Sequence, residues 1–382
     1  GKIHPYLKYP YENFFLDSSN VNNIFKMYDI QTTLMPRVGF NFPISDLADF
    51  FAHYDILTQR PPIPFTDPYS AIALKPERTV DYEVGFRQSL YLRINAALTL
   101  SAFYREMRDM LQYINVYGAY PANYLAYGNI DFGNVKGFIM KYDLRRTDNL
   151  QLDASYTLQF AEGTGSAINS AANIVSEGQP NLRTTMPLNI DQRHTIVMSA
   201  DYRFGKGKNY RGPSGSVIKT ILENFGGNIT FRAGSGTPYS RQTNMTSGNG
   251  NGGSQVIFGQ NARTSLKGKI NGSNMPWQNR IDVRIDKNIE IKWEDKEGRN
   301  KLSNLNVYVI LLNALDAKNV TNLYRYTGDP QDDGYLNAPE TQNQINEYPS
   351  PQSFRDLYTV KMANPSFYSI PRRIRIGARI DF

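Results

Sequence analysis

Residues able to do chemistry are sparse in this 382-residue sequence. Its three histidines, His4, His53 and His194, stand at no spacing that would let two of them share a metal. The absence of Cys removes disulfides, thiolate metal sites and cysteine nucleophiles. No Gly-x-Ser-x-Gly turn presents a serine, and no Ser is paired with a His by spacing. The glycine-rich tract from Thr246 to Ser254 lacks the Lys-Ser or Lys-Thr that would complete a phosphate loop. One acidic segment, Gly328-Asp329-Pro330-Gln331-Asp332-Asp333-Gly334-Tyr335, carries oxygen ligands suited to a hard cation such as Ca²⁺, with Asp329, Asp332 and Asp333 as the candidates. Its spacing departs from an EF-hand, and Asp with Gly is the ordinary chemistry of a solvated turn, which is the favoured reading. No cofactor is expected, and the chain reads as something other than an enzyme.

Binding is better served than catalysis. The sequence holds 26 Tyr and 20 Phe against 2 Trp, a load suited to aromatic girdles or to loops that stack on a ligand. Tyr113, Tyr117, Tyr120, Tyr124 and Tyr127 gather around one connection, and Tyr324, Tyr326 and Tyr335 around another. Girdle and loop packing account for most of them, with Tyr117, Tyr120, Tyr124, Tyr324 and Tyr326 as candidate loop contacts to a ligand. The net charge of +7 is spread along the chain rather than gathered into a nucleic-acid footprint.

The elements that must carry these residues are strands. The longest apolar run, Val307 to Leu312, is far shorter than the ~20 residues of a membrane-spanning helix. A mean hydropathy of -0.49 decides nothing for a barrel, because only alternate strand residues meet lipid. Period-two alternation dominates. From Leu150 to Phe160, Leu150, Leu152, Ala154, Tyr156, Leu158 and Phe160 oppose Gln151, Asp153, Ser155, Thr157 and Gln159. The pattern recurs in about eleven segments, ending with Ile374, Ile376, Ala378, Ile380 and Phe382 against Arg375, Gly377, Arg379 and Asp381. Lumen-side charges such as Arg87, Arg105, Lys141, Asp153 and Arg203 would line a path, touch a plug, or pair with one another.

Alternation alone fits a soluble sandwich as well as a membrane barrel; the connections separate them. Short ones are expected near Pro43 to Leu47, Ser89 to Arg93, Thr147 to Asn149 and Glu294 to Lys301, with a longer one from Gly205 to about Asn224. Long ones fall between, near Thr58 to Leu74, Val116 to Phe132, Ala161 to Ile190, Arg241 to Met275 and Thr321 to Ile370. Short turns at one end and long loops at the other mark an outer-membrane barrel. Residues Gly1 to Tyr6 lack the basic and apolar regions of a signal peptide, which was removed or belongs to a longer protein.

A series of motifs resembles the C-terminal barrel of Bacteroidetes-type TonB-dependent receptors. In order they are Met35-Pro36-Arg37-Val38-Gly39-Phe40; Leu74-Lys75-Pro76-Glu77-Arg78-Thr79 leading into Tyr82-Glu83-Val84-Gly85-Phe86; Asp191-Gln192-Arg193-His194-Thr195; Ser235-Gly236-Thr237-Pro238-Tyr239; and Asn313-Ala314-Leu315-Asp316 with Lys318-Asn319. The ending, with Arg375, Gly377, Ile380 and Phe382, is similar to the signal by which barrel-assembly machinery recognises its clients.

The resemblance implies an all-β, antiparallel transmembrane β-barrel, of which residues 1–382 form the C-terminal half of 22 strands, the plug and N-terminal strands lying outside this chain. It implies a cell outer membrane location in a Gram-negative bacterium, and import of a siderophore, glycan or peptide driven by TonB through the plug region. Outer-membrane lipid and the barrel-assembly machinery are the other implied partners, and a surface lipoprotein is left open. A non-transporting barrel component of an outer-membrane complex is the alternative, and a soluble β-sandwich binding module a third, which the loop pattern opposes.

Overall fold

The computed structural model describes residues 5–7, 25–27, 32–61, 74–90, 95–116, 124–171, 181, 183–243, 245, 266–294 and 300–381. Strands β1 (Pro5–Leu7) and β2 (Phe25–Met27) form a small antiparallel ribbon. The main sheet opens with β3 (Arg37–Ser45), β4 (Ala48–Gln59), β5 (Glu77–Leu90), β6 (Ala96–Val116), β7 (Tyr124–Thr147) and β8 (Leu150–Gly163). The two-residue β9 (Met186–Pro187) pairs with the end of β8. Next come β10 (His194–Arg203) and β11 (Phe225–Gly234), then a ribbon of β12 (Pro238–Tyr239) and β13 (Ser273–Asn274). The last strands are β14 (Gln278–Glu294), β15 (Asn300–Leu312) and β16 (Arg373–Asp381). Eleven strands follow one path, β16-β15-β14-β11-β10-β8-β7-β6-β5-β4-β3, and β9 makes the sheet twelve-stranded. Each pairing along this path is antiparallel, as the alternation predicts. The sheet is open, with β3 and β16 as its edges.

The registers place every apolar set on one face. Phe42, Phe50, Phe86, Leu100, Met140, Tyr156 and Ile196 succeed one another across seven strands. Ile229, Val283, Leu311 and Ile374 do so across the last four. This face stays uncovered: Phe42, Phe50, Met140, Ile229 and Ile374 are all exposed. A soluble domain would bury so continuous an apolar surface. The opposite face carries the charges, with one small apolar cluster of Phe103, Val135 and Ala161 under Leu188. Arg203 bonds both oxygens of Asp286 at 2.9 and 3.0 Å, and Asn306 donates to the same carboxylate at 3.0 Å. Arg105 meets Asp81 at 2.9 Å, so the pairing expected of the lumen-side charges holds for these residues.

Two motif glycines have a steric reason on that polar face. A Cβ on Gly85 would stand 2.2 Å from the Phe51 ring, and one on Gly377 would stand 2.5 Å from Tyr308. Each aromatic ring lies across the neighbouring strand where only glycine leaves room.

The connections alternate as expected. Short ones include the turns at Asp46-Leu47 and Asp148-Asn149, and residues 204–224 form the longer exception at that end, carrying helix α1 (Ser216–Leu222). The loop expected from Val116 to Phe132 is a correction: β6 runs to Val116 and β7 starts at Tyr124, leaving residues 117–123 between them. The end of β6 agrees with the expected start of the loop; the difference is the stretch Tyr124–Phe132, which belongs to β7, where a register shift between Asp131 and Asn129 interrupts the period.

The connection from β15 to β16 is a folded unit rather than a bare loop. It contains α2 (Gln342–Asn346) and α3 (Pro351–Met362), with Tyr324, Tyr335, Ile345, Tyr358, Met362 and Phe367 as its core. Pro351 at the first turn and Phe354, Tyr358 and Met362 four residues apart are what make α3 a helix with one buried face.

Candidate functional site

Three long connections meet at one end of the sheet and enclose a cleft of about 450 Å³. Its lining is mostly hydroxyl and amide: Thr164, Ser166, Ser170, Asn181, Asn189, Thr237, Tyr239, Ser240 and Asn271, with Asp131 and Arg325 as the charged groups. The floor is built from β6 and β7. Gln112, 1% exposed, donates to Asp131 Oδ2 at 2.9 Å and to Ser170 Oγ at 2.7 Å, and Thr164 donates to Asp131 Oδ1 at 2.9 Å. The Asp131 carboxylate is thereby held by neutral donors and fixes the start of the 164–193 connection.

A second wall comes from the β12–β13 ribbon. Asn271, in the left-handed region at φ 54°, takes its backbone N–H to Ser240 Oγ at 2.9 Å. Its side chain donates to Pro187 O at 2.8 Å and Asn189 Oδ1 at 3.1 Å, tying two connections together. The third wall is the β15–β16 domain, which offers Arg325. Arg241 donates to the carbonyls of Tyr326 and Thr327, and Gln242 N–H to that of Arg325, so the backbone carrying this cation is anchored. Burial pulls the Arg325 guanidinium below the usual arginine range, and no ion pair offsets that among the described residues. The cleft can hold a polar ligand by hydrogen bonds.

The motif residues clasp strands at this same end. Ser235 of one motif contacts the other: its Oγ accepts from His194 N–H at 3.0 Å and its carbonyl from Gln192 Nε2 at 2.9 Å. His194 is a structural residue, with Tyr156 Oη 2.9 Å from its Nδ1 and the Trp277 ring stacked at 5.6 Å. Asn313, 1% exposed, receives Ala317 N–H on Oδ1 and donates to the carbonyls of Ala317 and Ile370, binding the end of β15 to the approach to β16. Asp316 Oδ1 caps Arg372 N–H at 2.9 Å.

The acidic residues do not converge. Asp329 accepts from Gln331 N–H and Asp332 from Gly334 N–H, both at 2.7 Å, whereas Asp333 turns inward to Tyr335 N–H and the Tyr358 hydroxyl. The described residues contain no cluster of three metal-binding side chains. Of the candidate ligand tyrosines, Tyr117 and Tyr120 lie outside the described residues, as does the side chain of Tyr124 at the start of β7. Tyr324 requires a correction: it is 5% exposed in the core of the β15–β16 domain, and its hydroxyl donates to Met362 O at 3.2 Å. Burial, assisted by Asp333, pushes its phenol up to about 12, so it serves as a neutral packing residue. Tyr326 is half-buried over Gly334. The Tyr113 and Tyr127 rings pack at 4.4 Å, tilted by 35°, with their hydroxyls 2.6 Å apart. Arg375, Gly377 and Ile380 lie on the edge strand β16, and Phe382 lies outside the described residues. Sequence reasoning missed Arg325, a lone arginine among tyrosines whose isolation appears only when the loops are assembled.

The family model described as TonB dependent receptor-like, beta-barrel, matches residues 6–308. Among solved structures, the chain is similar to the pyoverdine outer membrane receptor FpvA from Pseudomonas aeruginosa PAO1 bound to pyoverdine, with 14% identity, a TM-score of 0.51 and coverage of 91% of this chain and 36% of that one. The ferripyoverdine receptor of the outer membrane of Pseudomonas aeruginosa bound to ferripyoverdine gives 15%, 0.50, 79% and 32%. A complex of FpvAI with pyocin S2 gives 13%, 0.53, 92% and 34%. At these identities the likeness is one of fold, and the chain spans about a third of the length of those solved chains. Comparison with curated proteins finds no match.

Proposed function

The chain belongs to the TonB-dependent receptor-like β-barrel family, and from that premise we propose that it is part of an outer-membrane transporter that imports a specific substrate in a Gram-negative bacterium. The observation that carries the reading is the sheet itself. Eleven antiparallel strands present one exposed apolar face, yet among the described residues the edges of β3 and β16 have no partner strand. In hydrocarbon each unpaired backbone group costs several kcal/mol, roughly, so the sheet must be closed by further strands. These residues are the C-terminal half of a barrel of about 22 strands of the Bacteroidetes type, and the remaining strands and a plug belong to the protein outside them.

On this reading the short connections face the periplasm and the long ones the exterior. The cleft around Asn271 and Arg325 then lies where an incoming siderophore, glycan or peptide would first be held, and the described cleft residues take over the ligand contacts expected of Tyr324. TonB acts through the plug. The barrel-assembly machinery reads the strand ending with Arg375, Gly377, Ile380 and Phe382, and a surface lipoprotein covers the outer loops if the cargo is a glycan. The loop carboxylates Asp329, Asp332 and Asp333 serve turns and the domain core rather than calcium.

The test is the native polypeptide in an outer-membrane fraction, run on a gel before and after heating, with uptake assayed in cells lacking it. A band of at least twice 43.4 kDa whose mobility changes on heating, together with loss of growth on one nutrient, is expected. A heat-modifiable band without any uptake defect would leave a non-transporting barrel component. A chain released without detergent would overturn the membrane reading altogether.

A further inference from the structure

Residues 204–224 are the longer connection at the short-turn end, and they fold toward the apolar face of the sheet. Two contacts to the sheet establish the side, against one, Lys206 to Glu290, that reaches the opposite parity at the far end of β14. Lys287 shares the parity of Ile285 and Ile289 on β14, and its Nζ donates to the carbonyls of Thr220 and Ile221 at 2.7 and 2.6 Å. Tyr202 has apolar-face parity on β10 and packs edge-on against Phe204 at 5.3 Å. Phe204 in turn meets Tyr210 at 5.9 Å, and Lys219 Nζ sits 5.8 Å over the Tyr210 ring. A plug in the lumen would lie on the other side of the sheet and could not cover this segment.

Helix α1 nevertheless turns its greasy side outward. Val217, Ile218 and Ile221 share one helical face and are 72%, 49% and 58% exposed. Basic residues surround it: Lys206, Lys208, Arg211 and Lys219, against Glu223 as the one acid between Phe204 and Asn224. Lys206 is paired with Glu290 and Arg211 with Asp148, whereas Lys208 and Lys219 have no carboxylate partner among the described residues. Exposed aliphatic residues flanked by Tyr210 and by cations without a carboxylate partner, at the margin of a lipid-facing surface, are what a helix lying in a membrane interface requires.

We propose that α1 is an interfacial foot of the barrel: Val217, Ile218 and Ile221 enter the acyl boundary of the inner leaflet, while Lys208 and Lys219 meet phospholipid phosphates. The occupant is phospholipid because the apolar face of the helix continues that of β10 and β14, and because the surrounding charge is cationic. This rests on the reading that the apolar sheet face meets lipid, and the experiment separates the two. The 382 residues hold no cysteine, so single cysteines can be placed in the full-length protein, with any cysteine elsewhere replaced by serine. Ile221→Cys reports the helix, Ile229→Cys the apolar face of β11, and Asp46→Cys a plain turn at the same end.

Each variant is labelled with an environment-sensitive fluorophore and reconstituted in phosphatidylethanolamine–phosphatidylglycerol vesicles. Quenching is measured with headgroup-proximal nitroxide lipid and with aqueous iodide. The 221 probe is expected to be quenched several-fold more by the lipid nitroxide than the 46 probe, and several-fold less by iodide. Adding Lys208→Glu and Lys219→Glu should at least halve the lipid quenching at 221. Lipid quenching at 229 with a 221 probe that behaves like the 46 probe, or that is shielded from both quenchers, would overturn the foot. Unchanged lipid quenching in the double charge reversal would overturn the phosphate contact. Absence of lipid quenching at 229 would overturn the membrane reading on which both depend.

Discussion

The Tyr358 hydroxyl donates to Asp333 Oδ2 across 2.6 Å inside the domain that joins β15 to β16. Burial raises the Asp333 carboxyl above the ordinary carboxylate range, opposed by this bond and by Tyr335 N–H. The folded domain therefore retains a proton at pH values where the unfolded chain has released it. Its stability falls as pH rises from about 3.8 to the raised value and is level above it. Amide-exchange protection of Tyr335 and Ile345, corrected for intrinsic rates, should fall across that interval, and Asp333→Asn should abolish the trend. Tyr358→Phe removes a donor from a buried carboxylate and should cost the domain roughly 1–3 kcal/mol. Protection equal to wild type in Tyr358→Phe would show that the bond contributes nothing.

On the polar face of the sheet, Arg203 holds Asp286 with two bonds, and Asp286 is 5% exposed. Arg203→Ala leaves that carboxylate with Asn306 at 3.0 Å and Arg284 at 3.7 Å. A charge-assisted pair of this kind is worth roughly 1.5–3 kcal/mol, and the urea midpoint of barrel unfolding should fall accordingly. The double variant Arg203→Met/Asp286→Leu should recover most of the loss, because the buried carboxylate is then gone too, while Arg284 keeps Asn306 and Asp201 keeps Arg146.

The strands were legible because an apolar face and a polar face impose period-two alternation on most of each strand. The motif residues were legible as positions but not as reasons. Gly85 is needed beneath Phe51, Asn313 clasps the end of β15 to the approach to β16, and His194 serves a Tyr156 bond. Two features escaped. The register shift between Asp131 and Asn129 broke the period of β7 and turned Tyr124–Phe132 into apparent loop. The β15–β16 domain was hidden because its turns of Gly, Asn and Asp outweigh the spacing of Phe354, Tyr358 and Met362. The cleft was not readable at all, since its walls come from connections far apart in sequence.

Asn271 joins two walls of the cleft through Pro187 O and Asn189 Oδ1. Asn271→Ala removes both bonds and leaves a Cβ at φ 54°, a conformation asparagine tolerates better than alanine. The expected result is a local loss of roughly 1–2 kcal/mol, read as faster amide exchange in residues 188–193 and 270–274 with the unfolding midpoint of the sheet unchanged. Exchange confined to neither segment would mean that the two connections are held by other contacts.

Gly377 separates two explanations of the last strand. If its role is recognition by the assembly machinery, replacement should slow insertion whatever stands opposite it. The geometry gives a different expectation, because Gly377 pairs with Tyr308 and a Cβ there would stand 2.5 Å from that ring, which itself lies under the Arg284 guanidinium at 4.6 Å. Gly377→Ala should push Tyr308 from its place and destabilise the edge strand by roughly 1–3 kcal/mol, the range for overpacking. Gly377→Ala combined with Tyr308→Ser gives the added methyl room, and the yield of heat-modifiable barrel should return toward the wild-type level. Rescue would assign Gly377 to packing against Tyr308. A double variant no better than Gly377→Ala, alongside a Tyr308→Ser barrel that assembles normally, would assign it to recognition instead.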